Sequence, residues 1–137
     1  MNLKIKECFS LRNTKVSDID YEPLSVTMLE EGVVKQLDSA AKSDAHDDRK
    51  LVKENDFVIN SRSDRRMASG VSKYDGSVSL INLVLEPKNL IYPRFCHYLF
   101  KNPYFAEEFY KYGHGIVADL WSTQWDDMKK IYIPIPD

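Results

Sequence analysis

The chain is short of several things at once. Cysteine occurs twice in 137 residues, at Cys8 and Cys96. Two thiols so far apart make neither a disulfide framework nor the paired spacing of a zinc site, and such usage suits a reducing cytoplasm. Glycine occurs five times, and no glycine-rich loop follows a strand-like run, so a phosphate cradle for a nucleotide cofactor is not indicated. No apolar run approaches the roughly 20 residues that cross a bilayer, so no membrane association is expected. The opening segment carries charge with no apolar stretch behind it, so no secretory leader is expected. Repeats and low-complexity tracts are lacking. So is an excess of positive charge: 19 basic residues against 21 acidic give a net −2, which excludes a polycation that coats nucleic acid.

What is there suits one folded domain. Apolar residues make up 43% of the chain and aromatics 12%, and a domain of this size buries roughly two-thirds of its unfolded surface. The charge is unevenly spread. Residues 1–50 carry 8 basic and 10 acidic groups, residues 51–100 carry 7 and 5, and residues 101–137 carry 4 and 6. Only the middle third is positive. Between Asn60 and Tyr74, Arg62, Arg65, Arg66 and Lys73 face a single acid, Asp64. A solvated surface loop is the plain explanation of such a run. The alternative is an anion site for phosphate or a guanine edge, because the arginine fork matches both and this loop favours Arg over Lys.

Patterning divides the chain. Leu24–Leu29 alternates as a half-buried strand, Glu30-Glu31-Gly32 turns it, and Val33–Lys35 returns as a second strand. Residues 38–50 read as a polar loop. Leu51-Val52 opens a new element, Glu54–Asp56 is a turn and Phe57–Asn60 a strand. The Asp75-Gly76 pair predicts a tight hairpin turn. Val78–Leu85 is apolar enough for one strand buried on both faces, ended by Pro87. Helical character follows. Pro93 is placed to start one helix with Phe95, Tyr98 and Leu99 on a stripe, and Asn102-Pro103 starts a second with Phe105, Phe109 and Tyr112. Gly113 stops that helix. Ser122 or Thr123 is expected to cap a turn at Trp125–Asp127, and Ile131–Pro136 closes as an edge strand. The fold class is α+β: strand-rich, with a short helical pair in the second half.

Catalytic patterns are thin. Asp75 with Glu86 and Lys88 has the composition of a Mg-dependent nuclease, but Pro87 interrupts the strand that must carry the last two. Asn102-Pro103-Tyr104-Phe105 resembles a methyltransferase loop, yet serves better as a helix start. Asp44, His46, Asp47 and Asp48 lack the further ligands of a metal centre. His97 reads as a packed or capping histidine, and His114, between two glycines, as a loop residue. No cofactor, no metal and no catalytic group is therefore expected, and the chain reads as a binding module.

At the basic loop the sequence resembles a known family. Leu51 to Arg66, then Ser69 to Lys88, are similar to the target recognition domain of type I restriction–modification specificity subunits. Tyr98–Phe100, Phe105–Tyr110, Tyr112–Trp121, Asp126–Lys129 and Ile133–Pro136 continue the resemblance in order, so that it covers roughly residues 20–137. It implies a sequence-specific double-stranded DNA recognition domain that reads one half of a split site. The implied partners are modification (methyltransferase) subunits, restriction subunits and a second recognition domain. Residues 1–137 are expected to be a single such domain, without the spacer helix or its twin. On this basis Arg62, Arg65 and Arg66 are the expected base or phosphate contacts. Ser61, Ser63, Ser69 and Lys73 stand beside them, and Lys42, His46 and Arg49 in the earlier polar loop come second. Two other readings remain: a stand-alone relative that binds protein partners, and the nuclease.

Overall fold

Two apolar sets of alternating residues organise the molecule around one sheet. The computed structural model describes residues 2–36, 48–62, 68–88, 93–99, 101–111, 114–117 and 120–134. The chain begins with β1 (Asn2–Lys4), α1 (Ile5–Cys8), β2 (Phe9–Leu11) and β3 (Lys15–Val16). There follow β4 (Leu24–Val26), β5 (Val33–Lys35), β6 (Arg49–Val52), β7 (Phe57–Asn60), β8 (Ser69–Val71), β9 (Gly76–Ser79) and β10 (Asn82–Pro87). The second half holds α2 (Pro93–Leu99), α3 (Pro103–Lys111), β11 (His114–Val117), β12 (Leu120–Ser122), α4 (Trp125–Met128) and β13 (Tyr132–Pro134).

The central sheet runs β2-β10-β7-β8, antiparallel throughout. Strand alternation sends Phe57, Ile59, Leu83 and Leu85 to one face. There they join Ile5, Cys8, Cys96, Phe105, Phe109, Tyr110, Met128 and Ile133 in the main core. The residues between them, Val58 and Val84, face the other way and pack with Leu24, Val33, Val52 and Val78. Those partners come from the β4–β5 hairpin and from a second sheet, β3-β6-β9. Both faces are thus covered, and each fully buried aliphatic or aromatic side chain contributes about 1.5–3 kcal/mol. Strands β1 and β13 pair antiparallel and close the molecule beside α1, where Ile5 N–H donates to the Ile131 carbonyl at 2.9 Å.

The expected elements are largely present, with instructive departures. The Val78–Leu85 run is two strands in different sheets. Leu80 and Ile81 form an exposed turn between them, while Asn82–Leu85 is buried on both faces. Asp75-Gly76 makes no hairpin turn, because Gly76 begins β9, whose partner is β6. Its glycine answers a crowding need instead: a Cβ there would lie 2.5 Å from the Glu22 carbonyl oxygen. The polar loop ends earlier than expected, since Arg49 and Lys50 already belong to β6. Tyr98 leaves its stripe and is exposed, while Phe105 and Phe109 are buried as expected and Tyr110 is buried with them. Tyr112 and Gly113 lie outside the described residues. His114 belongs to strand β11, not to a loop. The cap of α4 is Gln124, whose N–H donates to Asp127 Oδ2 at 3.1 Å.

Candidate nucleic-acid interface

The arginine-bearing excursion leaves the sheet at the end of β7 and returns into β8. Its two ends are held together by Asn60 N–H donating to the Ala68 carbonyl at 2.9 Å. Further bonds fix the outgoing side. Tyr110 Oη donates to the Asn60 carbonyl at 2.6 Å, and Thr123 N–H donates to the Ser61 carbonyl at 2.9 Å. Ser61 Oγ donates to the Ile81 carbonyl at 2.6 Å, and Arg62 N–H donates to Asn60 Oδ1 at 2.9 Å. On the returning side Ser69 N–H donates to the Thr27 carbonyl at 3.2 Å. The stem is therefore gripped by α3, by the segment after β12, by the β9–β10 turn and by the β4–β5 turn.

This geometry revises the expected roles. Ser61 is buried with its hydroxyl committed to Ile81, and Ser69 has 0% of its surface exposed. Both were expected to offer hydroxyls to phosphate, but they build the stem. Arg62 is half-buried at its root. Ser63, Arg65 and Arg66 lie outside the described residues, as do Lys42 and His46 of the earlier loop. Lys73 is exposed but not beside Arg62. The expected single basic loop is divided by β8, which places Lys73 at the far end of the sheet, a strand of about 10 Å away.

Another pair of segments is brought together instead. Arg49, the first residue of β6, faces Ser79, the last of β9, while Asn60 faces Asn82. The end of the polar loop and the start of the arginine excursion thus flank one turn, Ser79–Asn82. Arg49 itself is spent on structure. Its Nε donates to Ser77 Oγ at 2.9 Å, and its Nη2 donates to the Ser77 carbonyl at 2.9 Å and the Leu24 carbonyl at 3.4 Å. Burial lowers its pKa and that of Lys50, whose Nζ donates to the Asn82 carbonyl at 2.7 Å. Sequence reasoning missed this turn, β8, and the roles of Tyr110 and Thr123. None of these had a legible signal, and the turn least of all, since Leu80 and Ile81 read as part of the apolar run.

The residues of the rival chemistries have partners of their own. Asp75 accepts the Glu54 N–H at 2.8 Å, Glu86 sits 3.4 Å from Arg12, and Lys88 donates to the Lys6 carbonyl at 3.0 Å. Among the described residues no three His, Cys, Asp or Glu side chains gather as a metal site. Asp44, His46 and Asp47 fall outside them. Asn102 precedes an ordinary helix start, its carbonyl accepting the Ala106 N–H at 3.1 Å. His97 is a tether: Nδ1 accepts the Val71 N–H at 3.1 Å and Nε2 donates to the Glu30 carbonyl at 2.6 Å, which fixes a neutral tautomer.

No protein-family model and no curated protein matches the chain. Solved structures do match it in shape. One is a chain from a structure described as the basis of complex assembly and conformational transition of the type I R-M system. It superposes with a TM-score of 0.72 at 9% identity, over 99% of this chain and 37% of that one. The S subunit of a type I restriction–modification system from M. genitalium gives 0.60 at 12% identity, over 96% and 33%. The HsdS subunit from Thermoanaerobacter tengcongensis gives 0.60 at 12%, over 99% and 33%. This chain spans about a third of the length of each. At such identities the likeness is one of fold, and that fold is α+β.

Proposed function

We propose that this chain is a target recognition domain of a type I restriction–modification specificity subunit. In this role it reads one half of a split double-stranded DNA site without catalysing a reaction itself. The observation that carries the reading is the conjunction of two features. The chain shares its fold with such subunits, and the segment richest in arginine issues from a stem anchored by the Ser61 and Tyr110 hydroxyls. A rigid base under Arg62, Arg65 and Arg66 suits groove reading, because an arginine fork on a guanine edge discriminates only when its root is fixed; each such pair is worth about 1–3 kcal/mol. Ser63 and Lys73 are assigned to phosphates, with Lys42 and His46 of the neighbouring loop as outer contacts.

The net charge of −2 implies weak binding by the single domain, with a shallow dependence on salt. Methyltransferase and restriction subunits, and a second recognition domain, supply the remaining grip and the chemistry. Replacing Arg62, Arg65 and Arg66 together by Ala tests the assignment in the assembled modification enzyme. The expected result is loss of site-specific methylation with an unchanged circular dichroism spectrum and melting temperature. An unaltered methylation pattern refutes it.

A further inference from the structure

We infer that the Leu80–Ile81 turn is a second, apolar reading element that meets thymine methyl groups in the major groove beside the arginine excursion. The inference rests on the DNA-recognition reading above. Three observations carry it. First, the turn holds the wrong residues for a turn. Such positions favour Gly, Asn, Asp or Pro, each for a backbone reason, whereas Leu80 and Ile81 are large and stand 42% and 36% exposed. They serve neither turn geometry nor core.

Second, the turn is stiff. Asn82 Nδ2 donates back to the Ser79 carbonyl at 3.3 Å and to Ser79 Oγ at 3.1 Å. Beneath it Lys50 Nζ holds the Asn82 carbonyl at 2.7 Å. Third, the turn belongs mechanically to the arginine stem, because the Ile81 carbonyl accepts both the Ser61 hydroxyl at 2.6 Å and the Ser61 N–H at 3.3 Å. A duplex lying against Arg62 therefore lies against Leu80 and Ile81. In the major groove the apolar feature on offer is the C5-methyl of thymine. A fixed aliphatic pair next to cationic donors reads A·T beside G·C, which arginine alone does not do.

The test uses the full chain at low ionic strength and a pool of random-sequence duplexes. The selected duplex is then remade with uracil in place of each thymine, which removes only the methyl. The expected result is that one or two such replacements weaken binding by about fourfold each, the equivalent of one buried methyl group. The double variant Leu80→Ser, Ile81→Ser should bind the thymine and uracil duplexes alike while melting at the temperature of the parent. Should that variant fail to fold, the uracil series on the parent chain still decides. Indifference to every uracil replacement overturns the inference, as does retained thymine preference in the folded double variant. Brightening of 2-aminopurine beside the site overturns it too, since the tip would then be wedging bases apart. Enrichment of no sequence at all overturns the DNA reading itself, whereas enrichment without methyl dependence overturns this inference alone.

Discussion

Arg12 and Asp56 form a two-pronged charge contact, and its energetics are set by burial. Arg12 Nε donates to Asp56 Oδ2 at 2.6 Å and Nη2 to Oδ1 at 3.2 Å, with Asp56 only 2% exposed and taking a further N–H from Lys53 at 2.9 Å. Desolvation raises the Asp56 pKa, and the hydrogen bonds from Arg12 and Lys53 oppose that rise. The variant Arg12→Ala strands a buried carboxyl and is expected to cost about 3–5 kcal/mol at neutral pH. The sign with pH follows. A carboxyl whose folded pKa is raised keeps its full stabilisation below its unfolded value and loses it as pH rises through the folded value. The deficit of Arg12→Ala therefore shrinks toward acid and widens toward neutrality, which urea melts at several pH values read directly. A deficit independent of pH would mean the pair acts through packing alone. The thiols supply a second check at this scale. Cys8 and Cys96 are buried, and burial pushes the Cys96 pKa up to about 12. Iodoacetamide near pH 8 should label neither in the native protein and both in denaturant.

Among the elements, the close approaches are where the fold is least forgiving. Gly76 passes the Glu22 carbonyl so tightly that a Cβ there would sit at 2.5 Å, with Leu24 Cγ at 2.8 Å. Gly76→Ala is expected to lower stability by about 1–3 kcal/mol as β9 is pushed from β4. A shifted urea midpoint with unchanged slope would register it. A parallel crowding occurs at Gly32, whose φ of +70° and contact with Gly70 let the β4–β5 turn lie on β8. How much of this was legible depends on range. The β4–β5 hairpin, β7 and both helix starts were readable because alternation and proline positions are local signals. Strand β8 was not, since Ser69-Gly70-Val71 has little apolar content and earns its place through pairing with β7. The break at Leu80-Ile81 was invisible to periodicity for the opposite reason: both residues look like core, and only the divergence of two sheets exposes them. The Arg62–Lys73 grouping failed likewise, because linear charge density carries no knowledge of a strand passing between.

At the scale of the whole molecule, the α+β class and the two-sided burial of the central strands were written in composition and in the consecutive Leu83, Val84 and Leu85 of β10. The meeting of the two loop ends at Ser79–Asn82 was not, for it depends on strand order, which pattern alone leaves open. The β1–β13 ladder is another product of long-range order, with Asn2 opposite Pro134 and Lys4 opposite Tyr132. Rejoining these neighbouring ends through a short Gly-Ser linker and opening the chain at Ile19-Asp20, where Ile19 is 79% exposed, should yield a circular permutant with the parent's circular dichroism and near-parent melting temperature. Its collapse would mean that tension in the first strand is needed for folding. If it holds, the domain behaves as a cassette whose incoming and outgoing threads run side by side, so a longer polypeptide can carry it as a detour without bending its own path.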